Sequence, residues 1–237
     1  MSSFRKQFEE IFSSLGLEKY ISDDNVERFE ALYTMLNETN KVMNLTALTE
    51  ERDVIIGHFA DSLAGTDLLP QGARVIDVGC GGGFPTLPLA IVRPDVFITA
   101  LDSTAKKLVF VSDVAKKLGL NVETLAMRAE DAAKMPEYRE GFDICISRAV
   151  ARLNILDEIC IPFVKKGGTF IAMKGALSDE EYAEAKKGIS LLGGSLTENK
   201  KSTLADFGER ALLVIGKTSN TPEKYPRAYA KIKKSPL

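Results

Sequence analysis

The chain is poor in the features that mark several large classes of protein. No uncharged apolar run approaches the roughly 18 residues that a bilayer span needs, and the N-terminal "MSSFRKQFEEIF" mixes both charges. No membrane partner is therefore expected, and the expected location is the cytoplasm. Cysteine is scarce. Cys80, Cys145 and Cys160 are odd in number, form no CxxC pair and lie in apolar or glycine-rich sequence, which excludes a disulfide framework and a zinc site and leaves no metal to expect. His58 is the only histidine, and neither internal repeats nor low-complexity tracts are present.

What is there is ordinary globular material: 237 residues, 45% hydrophobic and 27% charged, enough for one full core with a smaller addition. Net charge is only -2, but it is sorted along the chain. Residues 1 to 70 carry 6 basic and 13 acidic side chains, residues 71 to 216 carry 19 of each, and residues 217 to 237 carry 6 and 1. The final segment, with Lys217, Lys224, Arg227, Lys231, Lys233 and Lys234, reads either as a solvated tail or as a footprint for phosphates.

Periodicity divides the chain into three segments: 1–70 a helical N-terminal extension, 71–217 an α/β domain, and 218–237 the basic tail. In the first, Phe4, Phe8, Ile11, Phe12 and Leu15 recur at helical spacing, as do Val26, Phe29, Leu32, Tyr33 and Leu36, and a third short helix is expected in "EERDVIIGHFADSL". From Arg74 the pattern changes to apolar runs, "RVIDVG", "VFITALD", "VETLAMR", "FDICISRA" and "GTFIAMKG", alternating with helical stretches. That alternation predicts right-handed βαβ units and a doubly wound parallel sheet whose strands are covered on both faces. One intervening helix, "TAKKLVFVSDVAKKLG", has Ser103 or Thr104 as its expected cap; another is expected at "SDEEYAEAKKGISLL". Two final strands, near "SLTENKKSTL" and "ERALLVIGK", have no helical pattern between them and predict an antiparallel hairpin at the sheet edge.

The loop "GCGGGF" follows the first parallel strand, at the carboxyl end where open α/β sheets bind ligands. A dinucleotide fingerprint G-x-G-x-x-G fails in both registers, with Phe84 or Thr86 at the third glycine position. The spacing G-x-G-x-G is met by Gly79, Gly81 and Gly83 after Asp77. This is the nucleoside-binding loop of S-adenosylmethionine-dependent methyltransferases with a Rossmann-like fold. Asp102, ending the second strand, is placed to accept from both ribose hydroxyls, a charge-assisted contact worth roughly 1.5 to 3 kcal/mol. The bland alternative is a loop that turns the chain and an aspartate that caps the next helix.

The acceptor can be narrowed. After the fourth strand stands "SRAVAR" rather than the Asn/Asp-Pro-Pro-aromatic motif of enzymes that methylate exocyclic amines, and Cys145 and Cys160 lie in a strand and a helix, where buried cysteines are common. An acceptor with its own lone pair remains, for which alignment alone can supply about 7 to 11 kcal/mol. A small-molecule methyltransferase and a noncatalytic nucleotide-binding module stay open on this reading.

The series "LNETNKVMNLTAL", "HFADSL", "DVGCGGGFPTLPLAI", "LDSTAKKLVFV", "RAEDA", "SRAVA", the "KG" of "AMKG" and the terminal "YPR…PL" closely resembles the bacterial RsmG/GidB family over nearly the whole chain. The resemblance implies a seven-stranded, mostly parallel sheet with an antiparallel last strand, and methylation of N7 of guanine 527 in 16S ribosomal RNA with S-adenosyl-L-methionine as cofactor. It implies a monomer acting on the small ribosomal subunit or its assembly intermediate. Carried over residue by residue, it has Gly79 and Phe84 lining the cofactor, Asp102 and Ser103 on its ribose side, Ala129 and Glu130 meeting the adenine, and Arg148 facing the methyl-transfer pocket. Bland alternatives are a surface pair between Arg128 and Glu130 and an Arg148 that binds a helix end. His58 and Asp61 are read as fixing the N-terminal helices or touching RNA, since guanine N7 has no proton to lose, and Arg148, Arg152 and Lys174 as holding RNA phosphates. The family's usual loop reads G-S-G-A-G-F-P-G; here Cys80, Gly82 and Thr86 stand at the serine, alanine and last glycine positions.

Overall fold

The computed structural model describes residues 2–177 and 179–237. Among these residues the strands form one seven-stranded sheet in the order β3-β2-β1-β4-β5-β7-β6. The strands are β1 (Arg74–Val78), β2 (Phe97–Asp102), β3 (Val122–Ala126), β4 (Phe142–Arg148), β5 (Val164–Lys174), β6 (Gly194–Thr203) and β7 (Glu209–Lys217). β1 to β5 run parallel; β7 enters antiparallel between β5 and β6. The edge hairpin expected from the last two runs is therefore present, with its second strand inside. The order reverses between β1 and β4, so a crevice opens beyond the carboxyl ends of these strands. β3 departs from expectation: it is an edge strand, half-exposed along its length, and not covered on both faces.

On one sheet face lie α1 (Ser3–Ser14), α2 (Asp23–Met43) and α3 (Glu51–Val54), which continues into a π-helical turn, Ile55–Ala60. Ser2 caps α1 through the amide of Arg5 and Ser22 caps α2 through that of Asn25, each satisfying an N–H the helix itself leaves unpaired. Phe4, Phe8 and Phe12 are buried as the spacing predicts, and so are Val26, Phe29, Leu32 and Leu36; Tyr33 is only partly buried. These side chains share one cluster with Val75, Ile98, Ile144 and Ile171 of the sheet, so the extension packs directly on the α/β domain. An aromatic file crosses that cluster. Phe8 meets Phe29 at 5.1 Å between centroids, Phe29 meets Phe59 at 5.0 Å, and Phe59 meets Phe84 of the glycine loop at 6.3 Å. Such pairs add about 0.5 to 1.5 kcal/mol each beyond the burial of their area.

The remaining helices are α4 (Thr86–Val92), α5 (Ala105–Leu118), α6 (Ala129–Ala132), α7 (Leu153–Cys160), α8 (Asp179–Leu191) and α9 (Tyr229–Lys234). The α8 helix matches the stretch expected from Ser178, which itself lies outside the described residues. Thr104 takes the cap position of α5, but its side chain makes no capping bond; the Asp102 carboxylate accepts the Thr104 amide instead, at 2.7 Å. No helix among the described residues is long and apolar enough to cross a membrane.

Candidate functional site

Three glycines adopt left-handed backbone in the loop after β1: Gly79 (φ 77°), Gly81 (φ 55°) and Gly83 (φ 90°), with Cys80 and Gly82 between them outside that region. The alternation that separated this loop from a dinucleotide motif thus follows backbone conformation, because L-residues rarely tolerate positive φ. The three positions differ in what surrounds them. A Cβ on Gly79 would lie 2.6 Å from Val150 Cγ2, and one on Gly83 would lie 2.5 Å from Leu87 Cδ1, whereas one on Gly81 would meet nothing within 4 Å. Gly81 therefore presents bare backbone to open space. The loop's amides are already engaged: Gly79 and Cys80 donate to the Leu101 carbonyl, and Gly81 donates to Asp102 Oδ2 at 3.0 Å. The glycines permit close approach and leave few donors for a phosphate.

Asp77, fully buried at the end of β1, accepts from the Thr86 hydroxyl at 2.6 Å and amide at 3.2 Å through Oδ2, while Oδ1 has no partner. Burial pushes its carboxyl up to about 7, against the downward pull of the Thr86 hydrogen bonds. It anchors α4 beneath the loop and does not line the cleft.

The loop faces a cleft of about 410 Å³ whose lining includes every expected site residue: Gly79, Phe84, Asp102, Ser103, Ala129, Glu130 and Arg148. Each Asp102 oxygen accepts one amide, leaving each a lone pair free to take a ribose hydroxyl. Along the sheet edge the cleft runs from the β1 loop past Asp102 to the residues after β3, so an elongated ligand would place its central part at Asp102 and its far end at Ala129 and Glu130. The dimensions, the uncovered Gly81 backbone and the remaining acceptors of Asp102 fit a nucleoside-bearing cofactor without phosphates.

Arg148, at the end of β4, is where the extension and the sheet meet. Its guanidinium donates to the Gly57 carbonyl and Asp61 Oδ2, each at 2.8 Å, and approaches His58 Nδ1 at 3.1 Å. Asp61 accepts in turn from Arg210 Nε of β7 at 2.8 Å. Arginine is always a donor, so His58 Nδ1 accepts and Nε2 carries the proton, donated to Thr46 Oγ1 at 2.6 Å. Burial, and secondarily the Arg148 charge, lower the His58 imidazole to about 3, and the neutral ring stacks on Phe84 at 4.3 Å. Arg148 thus binds the π-helical turn and Asp61, and it also lines the cleft.

Other expectations divide. Arg128 and Glu130 form the expected ion pair, at 3.1 Å, yet Glu130 is buried and both line the cleft. Arg152 pairs with Glu184, and Lys174 with Glu181 and the Ala151 carbonyl, so neither is a free phosphate ligand. Lys217 is buried on Glu140 and Thr221, and Arg227 is bound to Glu158. Lys231, Lys233 and Lys234 are exposed and make no ion pair among the described residues. Sequence reasoning does not single out Thr46, Arg210 and Tyr229; no local signal reveals them, since the contacts that tie them to the site, with His58, Asp61 and Arg128, span 12 or more positions.

A glycine-laddered cleft at the switch point, with an acidic residue ending β2, on a seven-stranded sheet whose last strand is antiparallel, defines the Rossmann-like fold of S-adenosylmethionine-dependent methyltransferases. Solved structures share the fold: "M. jannaschii TYW2 in complex with AdoMet" aligns with TM-score 0.55 at 17% identity, covering 67% of this chain and 74% of that one. "P. horikoshii TYW2 in complex with MeSAdo" aligns with TM-score 0.54 at 14% identity, covering 66% and 61%. The chain belongs to the rRNA small subunit methyltransferase G family, whose profile matches residues 25–210. Relatives named ribosomal RNA small subunit methyltransferase G include that of Brevibacillus brevis, 42% identical over 98% of this chain and 99% of the relative, and that of Desulfitobacterium hafniense, 45% identical over 92% and 91%.

Proposed function

We propose that the protein, as a monomer, transfers a methyl group from S-adenosyl-L-methionine to N7 of guanine 527 in the 16S RNA of the small ribosomal subunit or its assembly intermediate. The observation that carries this reading is that the two titratable side chains touching Arg148, His58 and Asp61, are both fully engaged. His58 is neutral with both nitrogens engaged, and both Asp61 oxygens are held by arginines. Cys80 is buried and its thiol is pushed far up, first by desolvation and then by Asp77 and Asp102; Cys160 is also buried and raised. Such a site suits an acceptor that arrives with a lone pair and loses no proton, as guanine N7 does.

The cofactor supplies a sulfonium-activated methyl; the chain supplies position. Gly79, Gly81 and Phe84 set the depth of the cleft, Asp102 with Ser103 would hold the ribose side, and Ala129 and Glu130 would border the adenine. A second cavity of about 260 Å³, lined by Asp61, Arg148, Lys174 and Arg210, shares Arg148 and Ala149 with the first. It would give an acceptor access to the first cavity at Arg148. The Asp61 bridge fixes Arg148 at that junction, so the extension 1–70 sets the geometry of the domain 71–217, and the tail 218–237 contributes exposed lysines to RNA. Alignment of this kind can lower a barrier by several kcal/mol without acid or base.

The test is to incubate the protein with labelled S-adenosylmethionine and small subunits or naked 16S RNA from a source lacking the modification, then digest and search for 7-methylguanosine at that position. Label absent from every RNA form while cofactor binding is intact would refute the proposal.

A further inference from the structure

The basic tail is not a free appendage. Tyr225 is buried, Arg227 is bound to the fully buried Glu158, and Ile232 of α9 is buried beside α7. This anchoring brings Tyr229, the first residue of α9, to the wall of the cofactor cleft. There the Arg128 guanidinium stands over its ring, 4.5 Å from the centroid, while Arg128 Nε is held by the buried Glu130. Arg128 immediately precedes Ala129 and Glu130, so Tyr229 lies at the β3 end of the cleft, the end beyond Asp102.

We infer that Tyr229, with Arg128, is a cofactor-binding residue: the pair closes the base end of the cleft and packs against the purine of the cofactor. The inference rests on the S-adenosylmethionine reading of the cleft and extends it to a segment that charge alone would assign to RNA. A guanidinium fixed on one side by a carboxylate and covered by a phenol ring makes a flat, rigid wall with apolar area and a polar edge, which suits an aromatic base. Its rigidity comes from the tail, where Arg227 on Glu158 and the buried Ile232 fix α9 against α7.

Equilibrium binding of S-adenosylmethionine and of adenosine to the unliganded full chain tests this without any turnover. Tyr229→Ala is expected to weaken both ligands by about five-fold to a hundred-fold, the range for loss of one aromatic stacking partner of a base, and Tyr229→Phe to bind as wild type. Tyr229→Leu keeps an apolar side chain on the helix and separates packing of α9 from contact with the base; it is expected to melt as wild type and to bind weakly. Tyr229→Ala and Tyr229→Leu that both bind within two-fold of wild type would overturn the inference. A wild-type chain that binds neither ligand would instead refute the cofactor reading itself.

Discussion

The pair that anchors the tail yields a quantitative prediction. Glu158 is fully buried, and its carboxylate accepts the Arg227 amide at 2.8 Å, Nε at 2.8 and 3.1 Å, and Nη2 at 2.6 Å. Beside it, Asp157 has no hydrogen-bond partner on either oxygen, and burial pushes its carboxyl well above the usual range. Burial favours the neutral form of Asp157, and the Glu158 carboxylate faces the Arg227 guanidinium. Arg227→Met removes that partner and leaves a buried charge, which costs about 3 to 5 kcal/mol. For a chain of this size, about 2 to 4 °C in melting temperature per kcal/mol makes the loss about 6 to 20 °C. Replacing both partners by apolar groups, Glu158→Leu with Arg227→Met, removes the uncompensated charge and is expected to recover more than half of the loss. Thermal melts of the unliganded chain followed by circular dichroism measure all three proteins. Arg227→Met melting within about 2 °C of wild type, less than one kcal/mol, or a double variant no better than the single, would refute the reasoning.

Three other outcomes are expected. Because the folded state holds His58 near 3 and the unfolded state near 6.5, the unfolded chain binds the extra proton as pH falls through that window; stability present above about 6.5 is lost below it. Relative to His58→Gln, wild type should lose about 2 kcal/mol between neutral pH and about pH 5 in denaturant titrations, and parallel curves would show that the ring titrates normally. Gly83→Ala, with its Cβ driven against Leu87, should cost about 2 to 4 kcal/mol of stability, whereas Gly81→Ala should cost about 1 to 2 and act chiefly on S-adenosylmethionine affinity by calorimetry. RNA affinity should fall steeply with salt, and removing Lys231, Lys233 and Lys234 together should reduce the slope of log affinity against log salt by about 2; an unchanged slope would remove α9 from the RNA interface.

The candidate site was partly legible along the chain because its main parts are local. The G-x-G-x-G spacing reports three left-handed positions within one turn, and Asp102 stands at the end of an apolar run that can only be a strand. The sequence leaves the cap of α5 open between Ser103 and Thr104; Thr104 takes the position, and the carboxylate two residues earlier, rather than the threonine hydroxyl, supplies the capping bond. β3 read as covered because its residues are no more polar than those of its neighbours; only its place at the edge exposes it. Charge counting does not show that Arg152, Lys174 and Lys217 are paired with Glu184, Glu181 and Glu140, because those partners lie far away along the chain.

Periodicity and spacing, which depend on neighbours a few residues apart, were sufficient to specify the βαβ alternation, the glycine loop and the acid that follows it. The folded chain alone decided what long-range pairing controls. Asp61 joins Arg148 and Arg210 across 87 and 149 positions, and these links lock the helical extension to the sheet beside the cleft. The same holds for Tyr229, which reaches Arg128 only because Glu158 and Ile232 fix the tail. A basic segment that composition presents as a solvated phosphate footprint is held, through Arg227 on the buried Glu158 of α7, against the wall of the cleft.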